Sequence, residues 1–324
     1  MTRPALRRAL VATLAATALV TLGACGPTGT DSERIDPAAE RVYPEVTTSP
    51  DIPVIEDIPY SNSDGAPQLL DACFPDEGTI DDASSDPRPA IVLIHGGSWR
   101  HGDKARITWR GLCQWFASEG FVAVSINYRL APAAVFPAQL DDAQDAVRWL
   151  RDPAQVARYN IDPDRIGAFG GSAGGNLAAL LGTTGSGSLT TGARVAAVVD
   201  LSGPADLRRE IKTTEGYTED FGEVVLQYLG CSSYANCPTA AAASPVTLVD
   251  PTDAPFFVGH SIDEFIPIEQ SDKLVAALRD QGIDTTYISL EGTLHATAML
   301  DDDMRARVLE FFRATLGATT ARTE

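Results

Sequence analysis

From about Ile58 to Leu316 the chain alternates short apolar runs, most of them rich in β-branched residues, with amphipathic stretches of helical length. Continuous apolar runs suit strands buried on both faces of a parallel sheet, and the amphipathic stretches suit the helices that cover it. The pattern predicts strands over 69–74, 90–94, 121–126, 165–169, 195–201, 256–259 and 285–290, and helices over 107–119, 139–151, 173–181, 268–281 and 296–316. The expected fold class is α/β, a mostly parallel central sheet flanked by helices. Residues 203–253 interrupt the alternation with no convincing strand and are expected to form a small cap insertion; loops of that length commonly serve function.

The N-terminus departs from this pattern. Arg3, Arg7 and Arg8 precede an apolar and small-residue run over 9–22, and no acidic residue occurs before Asp31, which is the layout of a secretory signal. The run is too short for a permanent membrane span. It ends in Leu22-Gly23-Ala24-Cys25, which resembles a bacterial lipobox. The resemblance implies a lipoprotein signal peptide over 1–24, lipidation at Cys25 and an extracytoplasmic protein anchored to the cell membrane by that lipid alone; a secreted protein is the alternative. Residues 25–56, rich in Pro, Thr, Ser, Asp and Glu and without periodicity, are expected to form a flexible tether, leaving 57–324 as the folded domain.

The 324 residues carry 44 Asp and Glu against 25 Lys and Arg, a formal charge of −19, and no basic cluster follows the extreme N-terminus. Nucleic acid is therefore not an expected partner. With Cys25 assigned to lipid, Cys73, Cys113, Cys231 and Cys237 remain, an even number that suits disulfides in an oxidising compartment. Cys231 with Cys237 would clip a small loop and leave Cys73 with Cys113, although a count alone does not fix the connectivity. No CxxC or Cys/His cluster points to a metal.

The chemistry enters at Phe169-Gly170-Gly171-Ser172-Ala173-Gly174-Gly175, where a buried strand runs into an apolar helix. Gly170 to Gly174 fits G-x-S-x-G: small neighbours let a sharp strand-to-helix turn close while the Ser172 hydroxyl projects clear of the sheet. By itself the motif reads equally as a glycine-rich turn with a capping serine. A second motif changes the balance. The strand ending at Ile94 runs into His95-Gly96-Gly97-Ser98-Trp99, a loop of the type that presents backbone N–H groups to a developing oxyanion. The candidate donors are the amides of Gly96, Gly97 and Ala173.

These two motifs, with Asn127-Tyr128-Arg129-Leu130, Phe136-Pro137, Asp142, Trp149-Leu150 and Ser244-Pro245 between and after them, make the chain similar to the carboxylesterases of the α/β-hydrolase fold, in particular the acetyl-xylan or feruloyl esterase-like and hormone-sensitive-lipase-like branches. The resemblance spans about residues 58 to 318. It departs from the second branch at Ser98-Trp99, where that branch would place a third glycine.

The resemblance implies an acid and then a histidine after the nucleophile, each on a loop following a late strand. Asp263, in Asp263-Glu264-Phe265-Ile266-Pro267, matches the family's D-x-x-[VI]-P segment, and His295 follows the next strand. The expected triad is Ser172, Asp263 and His295. Glu264 is expected to point elsewhere, and Asp200 and Asp206 are the alternative acids. Among the other histidines, His95 belongs to the oxyanion loop, His101 follows it, and His260 is expected to make a structural hydrogen bond. Asp142 and Arg129 are read as structural, and Trp99, Arg100 and His101 are expected at the pocket mouth.

The implied activity is hydrolysis of short-chain acyl esters of small molecules through an acyl-enzyme, with no cofactor. The alternatives are amide hydrolysis of the arylformamidase or peptidase type, and an inert hydrolase fold serving as a surface binding module.

Overall fold

A computed structural model of the chain describes residues 33–35, 46, 48–75, 86–213 and 220–317. The signal segment 1–24 and the lipidation candidate Cys25 lie outside the described residues.

Among the described residues, nine strands form one sheet. In chain order they are β1 (Glu33–Ile35), β2 (Val54–Ser61), β3 (Gln68–Cys73), β4 (Arg88–Ile94), β5 (Val122–Ile126), β6 (Ile161–Gly171), β7 (Ala197–Leu201), β8 (Phe256–Ser261) and β9 (Thr285–Leu290). Across the sheet they run β1-β9-β8-β7-β6-β4-β5-β3-β2. Only β3 on β5 and β2 on β3 pair antiparallel; every other pairing is parallel. The architecture is α/β, as the alternation predicts.

The central strands are apolar throughout because both of their faces are covered: β5, β7 and β8 are buried at every position. On one face lie α1 (Ile107–Ser118) and α8 (Asp302–Leu316). Phe116 of α1 meets Phe169 of β6 edge-on at 5.6 Å and Phe312 of α8 at 5.7 Å, and each such ring taken from water stabilises the fold by roughly 1.5–3 kcal/mol. The other face is covered by α2 (Ala138–Arg151), α3 (Pro153–Tyr159), α4 (Ala173–Thr183) and α7 (Glu269–Asp280).

Between β7 and β8, residues 203–253 contribute no strand among the described residues; they carry α5 (Phe221–Leu229) and the single turn α6 (Thr239–Ala242). Cys231 is bonded to Cys237 just after α5, and Cys73 of β3 to Cys113 of α1. These are the two pairs named from the sequence, where the cysteine count left the connectivity open.

Three features depart from the sequence reading. The stretch expected as a tether touches the domain: Glu33–Ile35 joins the sheet beside β9, and Gln114 of α1 takes the Ser49 N–H at 2.9 Å while its amide donates to the carbonyls of Ser49 and Ile52. The edge strand β2, Val-Ile-Glu-Asp-Ile-Pro-Tyr-Ser, escapes periodicity analysis because a proline and two acids suit an edge rather than a core. The helix expected over 296–316 is broken at Asp301, whose carboxylate caps α8 by accepting the Met304 N–H at 2.8 Å.

Candidate active site

Ser172 stands at the corner between β6 and α4 with φ 59° and ψ −125°, in the left-handed half of backbone space where a side chain is strained. The surroundings hold it there. Its N–H donates to the Leu201 carbonyl at 2.8 Å, and its carbonyl accepts the Asn176 N–H at 3.1 Å. The neighbouring glycines are required sterically: a Cβ on Gly170 would lie 2.0 Å from the Gly174 carbonyl oxygen, and one on Gly174 would lie 1.9 Å from the Ile94 carbonyl oxygen.

The loop after β4 packs directly on this corner. A Cβ on Gly96 would sit 3.2 Å from Ser172 Cβ. Gly97 has φ +125°, and its carbonyl accepts the N–H groups of Arg100 and His101 at 3.0 and 3.1 Å, closing a tight turn. Ser98 and Trp99 follow with φ 55° and 56°. Two consecutive non-glycine residues in this region cost about 1–3 kcal/mol each. Burial of Trp99, stacked on Tyr228 of α5 at 4.1 Å, offsets that cost, and the Trp99 carbonyl accepts the Ala131 N–H at 2.8 Å. Trp99 is thus a core residue, contrary to its expected place at the pocket mouth, and Arg100 lines a separate groove with Asp220 and Glu223.

His95 supports the loop from below. Its ring stacks on Tyr128 at 4.3 Å, and Nδ1 lies 2.9 Å from the Gly96 carbonyl oxygen, which can only accept, so Nδ1 carries the hydrogen. Burial pushes this imidazole down to about 4, so it stays neutral in mild conditions.

His295 sits on the loop after β9. Ala296 (φ 52°) donates its N–H to Ser202 Oγ at 3.0 Å, and a Cβ on Gly171 would meet Ala296 Cβ at 3.0 Å. The histidine loop is therefore pressed against the Ser172 corner. Ser172, His295, Gly96 and Gly97 all line one cavity of about 730 Å³, and Ala173, the first residue of α4, adjoins them.

The acid differs from the sequence expectation. His295 Nδ1 donates to Glu264 Oε2, and Asp263 is exposed. After β8 the loop is laid along the end of β9 by two backbone bonds, Ile262 N–H to the Leu290 carbonyl at 2.8 Å and Asp263 N–H to the Gly292 carbonyl at 2.9 Å. That path turns residue 263 to solvent and residue 264 inward. Asp200 is buried and accepts the Gly203 N–H at 2.8 Å, while Asp206 pairs with Arg208 at 2.8 Å and Lys273 at 3.4 Å. The imidazole contact thus belongs to Glu264, and neither alternative acid takes it.

Glu264 is itself buried between two histidines. His260 Nε2 donates to the Ile266 carbonyl at 2.8 Å and lies 2.9 Å from Glu264 Oε1; His260 Nδ1 is 2.7 Å from Ser271 Oγ. Burial pushes the Glu264 carboxyl up, but the two imidazoles outweigh it and hold the group below its ordinary value. His260 therefore does more than the structural bond expected of it. The expected structural pair Arg129 and Asp142 is present at 2.9 Å, with Asp142 buried. Among the described residues no group of three or more His, Cys, Asp or Glu side chains gathers as a metal site would require.

A strained serine, a carboxylate-bound imidazole and a glycine loop around one cavity can carry out nucleophilic acyl transfer. The chain is 32% identical over 245 residues to Esterase LipQ of Mycobacterium tuberculosis, a match covering 74% of this chain and 56% of LipQ. It spans about half the length of the curated relatives that match most of it. Among solved structures it is similar to a truncated carbohydrate esterase from gut microbiota (25% identity, TM-score 0.69, 84% of this chain and 100% of that one). It is also similar to the propionate-bound Est2 esterase of Thermogutta terrifontis (25% identity, TM-score 0.63, 87% and 98%). These neighbours have the α/β-hydrolase fold seen here. Residues 79–278, which include the Ser172 corner, the Gly96–Gly97 loop and Glu264, match the BD-FAE family, and the chain belongs to that family.

Proposed function

We propose that this chain is a serine carboxylesterase acting on short-chain acyl esters of small molecules, with Ser172 as nucleophile, His295 as general base and Glu264 as the acid that orients it. The observation that carries the reading is the Glu264 carboxylate on His295 Nδ1, at a cavity shared with a serine in left-handed backbone conformation. With Nδ1 committed to Glu264, Nε2 is the nitrogen left to take the Ser172 proton. Ser172 Oγ attacks the ester carbonyl carbon, and the backbone N–H groups of Gly96, Gly97 and Ala173 receive the oxyanion. His295 returns the proton to the leaving alcohol, and water, activated in turn by His295, releases the acid. The esterase names of LipQ and of the carbohydrate and Thermogutta enzymes support the activity.

Ser172→Ala tests the reading. It removes the nucleophile without adding bulk and should lower kcat for p-nitrophenyl acetate by ~10⁴ or more while circular dichroism stays unchanged. Turnover within tenfold of wild type rejects Ser172, and a wild-type protein that resists a fluorophosphonate label is an inert binding module.

For location, residues 1–25 and the two disulfides support an extracytoplasmic protein held to the membrane by lipid on Cys25. Cys25→Ser should move activity from the membrane fraction to the soluble one, since acyl chains contribute ~0.8 kcal/mol per buried CH₂. Unchanged partition rejects the anchor.

A further inference from the structure

We propose that Arg106 makes this site selective for esters that themselves carry a carboxylate, an inference that rests on the esterase reading above. In a chain with 44 acidic and 25 basic residues, an ordinary surface hollow would be expected to display carboxylates. The cavity at Ser172 displays none among the described residues; its ionisable lining is Arg106, His101 and His295.

The neighbouring cations of the same segment are engaged elsewhere. Lys104 is bound to Asp57 at 2.8 Å and Asp71 at 2.6 Å, and Arg110 to Glu56 at 3.1 Å and Asp71 at 3.6 Å. Arg106 has no ion-pair partner among the described residues. The closest acid in sequence, Asp103, directs Oδ1 to the Ala105 N–H at 2.7 Å and Oδ2 to the Asn127 amide at 3.3 Å. The first turn of α1, which starts just after Arg106, contains no acidic residue, so the helix dipole adds to the positive potential on this wall.

A net charge of −19 repels an anion at long range, so an enzyme indifferent to substrate charge would gain nothing from a cavity cleared of carboxylates. A guanidinium on the wall recognises a carboxylate through paired N–H donors, on the acyl or the alcohol side of the ester.

The test compares two matched pairs of substrates with the full-length enzyme: 4-acetoxybenzoate against its methyl ester, and 4-nitrophenyl hydrogen adipate against 4-nitrophenyl methyl adipate. The readout is the ratio of kcat/KM for the charged member to that for the neutral member, which cancels any general effect of a substitution. In Arg106→Gln this ratio should fall about two- to fivefold in at least one pair, as expected for an exposed guanidinium–carboxylate contact. The excess of the wild-type ratio over the Arg106→Gln ratio, which cancels the long-range repulsion common to both proteins, should shrink as sodium chloride rises from about 20 mM to about 500 mM. Ratios unmoved by the substitution in both pairs, or an excess over the Arg106→Gln ratio unmoved by salt, overturn the proposal. If the neutral esters turn over in a Ser172-dependent way while the ratios stay fixed, only this proposal falls; if the wild type hydrolyses no member of either pair, the esterase reading falls with it.

Discussion

His260 Nε2 lies 2.9 Å from Glu264 Oε1, and the other oxygen of that carboxylate takes the Nδ1 hydrogen of His295. One buried anion therefore joins a fully buried imidazole to the imidazole that faces the cavity. Burial pushes His260 down, but Glu264, the Ile266 carbonyl and Asp200 outweigh it, so its pKa is raised and it retains a proton more readily than a free histidine. The Nε2–H group of His260, 2.9 Å from Oε1, favours the ionised form of the Glu264 carboxylate. His260→Gln and His260→Phe should lower kcat by roughly 10- to 100-fold with KM changed by less than about threefold, because the binding wall is not touched. Leaving the Ile266 carbonyl and Ser271 hydroxyl unpaired should also cost about 1–3 kcal/mol each in urea unfolding of the Phe variant. Full kcat in a folded Gln variant would mean that His260 only packs.

Glu264→Gln and Asp263→Asn separate the two adjacent acids. The first keeps the shape but removes the charge that selects the His295 tautomer, and kcat should drop by ~10² to 10⁴. Asp263 is exposed, and its variant should stay within about twofold of wild type. The reverse order in p-nitrophenyl acetate kinetics would restore Asp263 as the acid.

What could be read from the sequence follows the local physics. The central strands are legible because both faces are buried, and the Ser172 corner because a closed turn admits only small neighbours, as the 1.9 and 2.0 Å clearances at Gly174 and Gly170 require. Which carboxylate meets His295 was not legible. Whether residue 263 or 264 faces inward depends on bonds to Leu290 and Gly292, about 30 residues away in sequence, and no local pattern records them. Trp99 misleads for a related reason: after a motif rich in glycine an aromatic ring looks like a pocket wall, yet the left-handed Ser98 and Trp99 turn it into the core against Tyr228. The edge strand β2 and the backbone pairing of β1 lack the periodicity that reveals buried strands.

Asp200 gives a pH dependence with a definite sign. Burial pushes its carboxyl up to about 7, the Gly203 N–H opposing this only in part. Between about pH 4, near the unfolded value, and about pH 7 the folded protein holds a proton that the unfolded chain has lost. For this group, stability is greatest below that window, falls as pH rises through it and is flat above. The slope is at most about 1.4 kcal/mol per pH unit. Asp200→Asn mimics the protonated form, so its urea-unfolding free energy should decline less from pH 5 to 7 than that of wild type. Equal slopes would show that Asp200 is ionised in the folded protein.

The two disulfides should differ in weight. They close segments separated by 40 residues at Cys73–Cys113 and by 6 at Cys231–Cys237. On the chain-entropy account, removal should cost about 4 kcal/mol for the long loop and about 2 kcal/mol for the short one. Paired serine variants in urea check the order. The short one follows α5, whose Tyr228 backs Trp99, so its loss should also loosen the oxyanion loop and lower kcat, whereas Cys73–Cys113 ties β3 to α1 on the opposite face.

Acyl length is the final prediction, and the surface decides it. A lipase acting at an interface needs a continuous apolar face around its entrance, since a membrane or droplet is bound by buried apolar area. Among the described residues only Ile107, 64% exposed, and Val135, 40% exposed, are large apolar side chains open to solvent. Ile107 lines the cavity with Trp109, Phe265 and Ala296, but Arg106, His101, Thr108 and Thr297 interrupt them, a mixed wall rather than an apolar trough, and Val135 is not among the lining residues. A long acyl chain would have to leave its methylenes against these polar groups or in water, forgoing about 0.8 kcal/mol for each methylene left unburied. Values of kcat/KM across p-nitrophenyl acetate, butyrate, octanoate and palmitate should therefore peak at acetate or butyrate, and an emulsion interface should give no increase. A peak at octanoate or beyond, or activation by the emulsion, would replace the short-chain esterase with a lipase.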